Sequence, residues 1–100
     1  MLPGRIPYRF SARPWKYTGP AAWYFVSLPS ELSVEIRAQF KDMEEGWGRL
    51  PVSAAISGHE WKTAIWFDSK QNAYLLPLKA EVRRKLKMDI EQEQDVVVYL

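Results

Sequence analysis

The chain has no cysteine and a single histidine, His59. The missing thiols exclude disulfides, cysteine nucleophiles and every thiolate-based zinc or iron–sulfur site. One imidazole excludes a centre built from two or three histidines of one chain. No apolar run approaches the roughly 20 residues that a membrane-spanning helix needs. Met1 to Phe10 interleaves Arg5 and Arg9 with Pro3 and Pro7, so it is no signal-peptide core. A cytoplasmic protein is expected, without cofactor, metal or membrane contact. What remains is 100 residues, enough for one domain spanning 1–100. Fourteen aromatics, five of them tryptophan, are the unusual part of the composition.

Charge is distributed in blocks. Residues 1–20 carry Arg5, Arg9, Arg13 and Lys16 and no acid. Residues 31–45 carry five acids against Arg37 and Lys41. Residues 79–87 are basic again through Lys79, Arg83, Arg84, Lys85 and Lys87, and residues 89–95 return four acids. A dedicated nucleic-acid binder shows a sustained basic excess, because each neutralised phosphate needs a cation. Here the net charge is only +2. A mixed, solvated surface is therefore the favoured reading. The alternative is a nucleic-acid face formed by Arg5, Arg9 and Arg13 with Arg84 and Lys87.

Alternation of apolar and polar residues dominates the chain. Ile6, Tyr8, Phe10 and Ala12 share one parity and the arginines the other, which predicts a half-buried strand. Pro14 to Ala22 reads as a loop. Trp23 to Leu28 is aromatic and β-branched and reads as a strand buried on both faces. Ser30 is placed as an N-cap, with Glu31 in the first turn of a helix that buries Leu32, Ile36 and Phe40. Asp42 to Gly48 is an acidic loop around Trp47. Leu50 to Ile56 and Glu60 to Phe67 are strands about a tight Ser57-Gly58-His59 turn. Ala73 to Leu78 follows as a strand, Lys79 to Lys87 as a short helix burying Val82 and Leu86, and Asp95 to Leu100 as a last strand.

The order ββαβββαβ, with six strands and two short helices, predicts a mainly β protein. A small six-stranded barrel is preferred, because closure removes edges that so apolar a sequence would expose. An open α+β sheet is the rival. Phe10, Phe25, Phe40 and Phe67 are assigned to the core.

Several short motifs recur in order along the chain. They are Trp23-Tyr24-Phe25-Val26 with Leu28-Pro29, Trp47-Gly48 with Pro51-Val52, Ile56-Ser57-Gly58, Tyr74 to Lys79 leading into Val82-Arg83, and Asp95-Val96-Val97-Val98. With them the chain resembles the bacterial domain of unknown function nineteen-oh-five over residues 8–100. The resemblance implies a small double-split or Greek-key-like β-barrel and a bacterial source. It implies no activity, cofactor or substrate. That family's pattern has a glycine before the acid of the last strand, where this chain has Gln94. It also has a glycine in the turn at 68–72, where Asn72 is expected to supply the left-handed conformation.

Catalysis finds little support. A triad needs a nucleophile, an imidazole and an orienting carboxylate. His59 has only Ser57 and Glu60 beside it, too close in sequence to form one locally. Glu44-Glu45 and Glu91 with Glu93 are read as solvated pairs. Asp42, Glu44 and Glu45 lack the spacing of a calcium loop, and Gly46 and Gly48 are not followed by the Lys-Ser or Lys-Thr of a phosphate loop. Trp61 and Trp66 lie on opposite faces of one strand, so both cannot fill one core. The expected function is thus a non-enzymatic binding module for a small ligand or a protein partner, with an enzyme using His59 as the less favoured alternative. Its candidate site is Trp23, Trp47, His59, Trp61 and Arg83, and a homodimer is a further expectation. At least one tryptophan should be substantially exposed. Acrylamide should therefore quench a clear fraction of the native tryptophan fluorescence, and five fully protected indoles would contradict this.

Overall fold

A computed structural model describes residues 5–19 and 23–100. Seven strands form one antiparallel sheet: β1 (Pro7–Ala12), β2 (Trp15–Lys16), β3 (Tyr24–Ser27), β4 (Arg49–Ile56), β5 (His59–Asp68), β6 (Ala73–Pro77) and β7 (Gln94–Tyr99). Two helices, α1 (Ser30–Phe40) and α2 (Ala80–Lys85), complete the fold. The strand order is β1-β7-β4-β5-β6-β3-β2.

That order places β1 and β2 at opposite edges, yet only Arg13 and Pro14 separate them in sequence. Three Cα steps of 3.8 Å reach about 11 Å. A flat seven-stranded sheet would hold its edges about 29 Å apart, six spacings of about 4.8 Å. The sheet must therefore curl, and it does so as a half-barrel. Pro14, which is buried, has no N–H to offer a ladder, so the chain leaves β7 there and pairs with β3 instead. The curled sheet bears out the barrel-like, mainly β expectation; the count of six is corrected to seven. The missed strand is β2, two residues within the segment 14–22 that was read as a loop. Two residues carry no periodicity, so no pattern could reveal it. Residues 20–22 of that segment lie outside the described residues.

Alternation sorts the side chains. Tyr8, Val26, Leu50, Val52, Ala54, Ile56, Ile65, Tyr74, Leu76, Val96 and Val98 face inward and are buried. Helix α1 adds Ile36, with Leu32 and Phe40 packed at the margin, and Phe40 meets Tyr8 edge-on at 6.5 Å. After α2, Leu86 and Met88 pack against the same cluster. Phe10, Phe40 and Phe67 are partly buried against it. Phe25 is not: its register partners Trp15 and Pro77 put it on the outer face, where it is half-buried. The strand around it is accordingly buried on one face, not two.

Local details follow their residues. Ser57 and Gly58 both take positive φ, 50° and 79°, as a two-residue hairpin of the right twist requires. His59 belongs to the strand after it, paired with Ile56, and not to the turn. Asn72 takes φ 52°, the left-handed conformation expected of it. Gln94 opens β7 opposite Ala12, and its side-chain amide donates to the carbonyls of Asp89 and Gln92 at 3.0 and 3.2 Å. The turn where the resemblance implies a glycine is closed here by a side chain. Pro29, not Ser30, occupies the N-cap position of α1, and no side chain caps it. Ser30 instead donates to the Gln71 carbonyl.

One buried polar residue ties α1 to the sheet. Ser33 is fully buried, and its Oγ accepts the Tyr74 backbone N–H at 3.0 Å. Ser33→Ala would leave that N–H without its acceptor, at a cost of about 1–3 kcal/mol. Ser11, whose exposed hydroxyl donates to Asp95, is the control. Chemical denaturation should show the larger loss for Ser33→Ala, and equal midpoints for the two variants would refute the link.

Candidate functional site

The outer face of β5, β6 and β3 carries a groove of about 830 Å³. Register shows how the strands build it. Arg49, Trp66, Leu75 and Ser27 are successive cross-strand neighbours, so their side chains form one row on that face. Phe25 and Pro77 start the next row, on the side of Ala64. Lys62 lies two residues beyond Ala64 on the same face. The chain from Leu78 through Lys79 and Ala80 into α2 forms one wall, with Arg83. Ala64 is only 5% exposed although it faces outward; its small side chain leaves the depth.

Aromatic rings dominate one side. Phe25 sits amid Trp15 at 5.2 Å, Trp23 at 6.1 Å and Tyr17 at 6.4 Å. The Trp15 indole is held by a hydrogen bond from its Nε1 to Ser27 Oγ, 2.9 Å. Trp23 is 56% exposed and Trp66 38%. Arg49, Lys62, Lys79 and Arg83 also line the groove, and among the described residues no acid does. Arg49 is neutralised by an ion pair with Glu45 and leans over Trp66 at 5.8 Å. Arg83 donates through Nε to the Leu78 carbonyl at 3.0 Å and lies 4.2 Å over the Tyr24 ring. That bond and the ring fix its guanidinium plane. Among the described residues no carboxylate lies within ion-pair distance of Lys62, Lys79 or Arg83.

Of the residues singled out by sequence, the groove unites Trp23 and Arg83. Trp61 and His59 lie two apart on β5 and stack on each other at 5.7 Å with 14° between planes, away from the groove. Trp47 is outside it and 92% exposed. Neighbouring strand residues point to opposite faces, and Glu60 is paired with Arg5 at 2.8 Å. His59 thus has no orienting carboxylate from that neighbour. Arg5 also covers the Tyr99 ring at 4.0 Å. Arg9, Arg13, Arg84 and Lys87 are exposed. Among the described residues no group of three or more His, Asp or Glu could hold a metal ion, and no helix is long and apolar enough to cross a membrane. Arg49, Lys62, Trp66 and Lys79 are groove residues that sequence reading did not select. The even parity of Lys62, Ala64 and Trp66 on one strand was the available signal; the neighbouring strands were not.

A second polar cluster lies beneath the acidic loop. Glu44 Oε1 and the Tyr74 hydroxyl are buried, and neither makes a well-formed hydrogen bond. Arg37 Nε is 3.6 Å from Glu44 Oε1, and its guanidinium lies 3.8 Å over Phe67, which meets Tyr74 edge-on at 5.3 Å. Burial pushes the Tyr74 phenol up to about 12, the Glu44 carboxylate adds to the rise, and Arg37 opposes it.

The architecture is that of a curled antiparallel half-barrel with two helices and a groove on its outer face. The family model described as Domain of unknown function (DUF1905) matches residues 10–98, and the chain belongs to that family. A comparison with curated proteins finds no match.

The phenol of Tyr74 yields a pH prediction. In the unfolded chain it ionises near 10, and in the fold it stays neutral to about 12. The unfolded state then binds fewer protons, so stability falls as pH rises from 10 towards 12. Tyr74→Phe should flatten the decline in thermal midpoint across that window. An unchanged slope would show that other groups govern alkaline unfolding.

Proposed function

We propose that this protein is a non-enzymatic binding module for a small, flat, largely apolar molecule bearing an anionic group. The outer groove receives it. The observation that carries this reading is the composition of one surface: apolar and aromatic lining, with Lys62, Lys79 and Arg83 lacking acidic partners among the described residues. Concave sites with apolar linings and a few placed polar groups are the usual form of small-molecule sites. Trp23 and Trp66 offer ring faces for stacking, and Phe25, Ala64 and Pro77 offer apolar contact. Lys62, Lys79 and the fixed Arg83 guanidinium would receive the anion by charge-assisted hydrogen bonds. Among the described residues that line the groove no nucleophile is paired with a base, which favours binding over turnover.

Anilinonaphthalene sulfonate, an aromatic body with one fixed negative charge, is a suitable probe, with uncharged phenylnaphthylamine as its control. The sulfonate should bind the native protein more tightly than the amine. Lys62→Glu with Lys79→Glu should weaken sulfonate binding by about tenfold or more, the scale of lost charge-assisted contacts. Binding of the amine should change little. Equal affinity for the two probes, or sulfonate binding indifferent to the charge reversal, would overturn the reading.

A further inference from the structure

Trp47 has no place in that ligand site, yet it is the most unusual side chain of the molecule. It is 92% exposed and takes φ 69°, a conformation that bulky residues rarely adopt. The loop that holds it is not slack. Glu45 donates its backbone N–H to the Arg49 carbonyl at 2.6 Å and pairs with the Arg49 guanidinium through its carboxylate. The chain is thus pinched shut between residues 45 and 49, with Gly46, Trp47 and Gly48 at the tip. Gly48 has φ 70° and lies so close to Phe67 that a Cβ would stand 3.2 Å from the Phe67 Cβ. Below the loop, Glu44 is held by Arg37. The indole is therefore presented to solvent by a braced support.

We infer that Trp47 docks into the outer groove of a second copy of this chain, in a two-fold dimer. Three observations select that occupant. The first is placement. Arg49 is both the base of the Trp47 loop and a wall of the groove, so the Trp47 Cα lies within about 8 Å of the groove rim. A knob and a receiving groove on one surface patch are what a self-complementary two-fold contact requires. The second is direction. Among the described residues Trp47 is absent from its own groove and turned to solvent, so its indole is open to another molecule. The third is charge. Glu44 and Glu45 are taken up by Arg37 and Arg49, which leaves Asp42 as the acid of this loop open to a partner, while the groove holds Lys62, Lys79 and Arg83 and no acid among the described residues. Asp42, exposed and without an ion-pair partner among the described residues, would approach the partner's cations. Two indoles burying about 150–250 Å² each form the centre of a small interface, so the dimer is weak and dependent on concentration.

The inference uses the same groove as the proposed ligand site, as a receiving surface, and does not depend on the ligand. Sedimentation velocity over a wide concentration range tests it. Wild-type protein should pass from monomer to dimer, and Trp47→Ser should raise the dissociation constant about 30-fold, the scale of a tryptophan hot spot. Trp47→Ser lies on the surface and should keep the native circular dichroism and melting temperature. Lys62→Glu with Lys79→Glu should weaken dimerisation from the groove side. Mixing that variant with Trp47→Ser should restore part of the association, because one intact knob then meets one intact groove. Anilinonaphthalene sulfonate should dissociate the wild-type dimer by competing for the groove. A wild type that stays monomeric, Trp47→Ser that dimerises like wild type, or a mixture that fails to complement would overturn the inference. The two readings fail separately: sulfonate binding to a strictly monomeric protein sinks the dimer alone, a Trp47-dependent dimer of a protein that binds no sulfonate sinks the ligand site alone, and a dimer that persists with sulfonate bound in the groove overturns the docking of Trp47 there.

Discussion

The partner exchange at Arg13 and Pro14 is the constraint on which the rest of the fold depends. A chain that leaves one edge of the sheet and joins the other edge within three Cα steps cannot belong to a flat sheet. Curling the sheet makes one face concave and gives it a single buried interior, filled by Val26, Leu50, Ile65, Leu76, Val96 and Val98. It also relieves the edge problem of an all-antiparallel sheet, because β1 and β2, the two edges, are neighbours along the chain. The buried proline is part of the device: it ends one ladder without leaving an amide unpaired.

The outer face inherits its character from the inner one. Strict alternation along β5 gives Ile65 to the core and leaves Ala64 and Trp66 outside. The same rule on β6 and β3 leaves Leu75, Pro77 and Phe25 outside. An apolar surface on the far side of a well-filled core is not needed for folding, and this is why the groove invites a functional reading. The cations reach it by different routes: Lys62 by strand parity, Arg49 by register with Trp66, and Lys79 and Arg83 from the chain entering and forming α2.

The acidic loop is the opposite case, a segment whose local cost is met by its supports. Trp47 and Gly48 take left-handed conformations. They are held by the Glu45–Arg49 closure above and by the Arg37, Phe67 and Tyr74 stack below. Glu44 and Tyr74 place two polar atoms out of reach of water there without well-formed hydrogen bonds, an arrangement that costs stability. The support of the exposed indole and the groove share one residue, Arg49, which closes the loop through Glu45 and lines the groove.

The alternating pattern of the chain by itself determined six of the seven strands, both helices and the inward placing of Tyr8 and Ile36, because a period of two or of 3.6 is a property of local sequence; of the four phenylalanines assigned to the core, Phe10, Phe40 and Phe67 pack at its margin. It also determined the Ser57-Gly58 hairpin and the left-handed Asn72, where residue type decides the backbone. Parity on one strand separated Trp61 from Trp66 before any neighbour was known. Tertiary structure decided what depends on register: that β2 exists, that Phe25 faces outward, and that Trp66 rather than Trp61 shares a groove with Trp23 and Arg83. It separated His59 from Glu60 across the two faces of β5, and it placed Trp47 beside the groove but outside it. Those relations join residues dozens of positions apart through strand pairing, and strand pairing is set by the curl of the whole sheet rather than by any stretch of sequence.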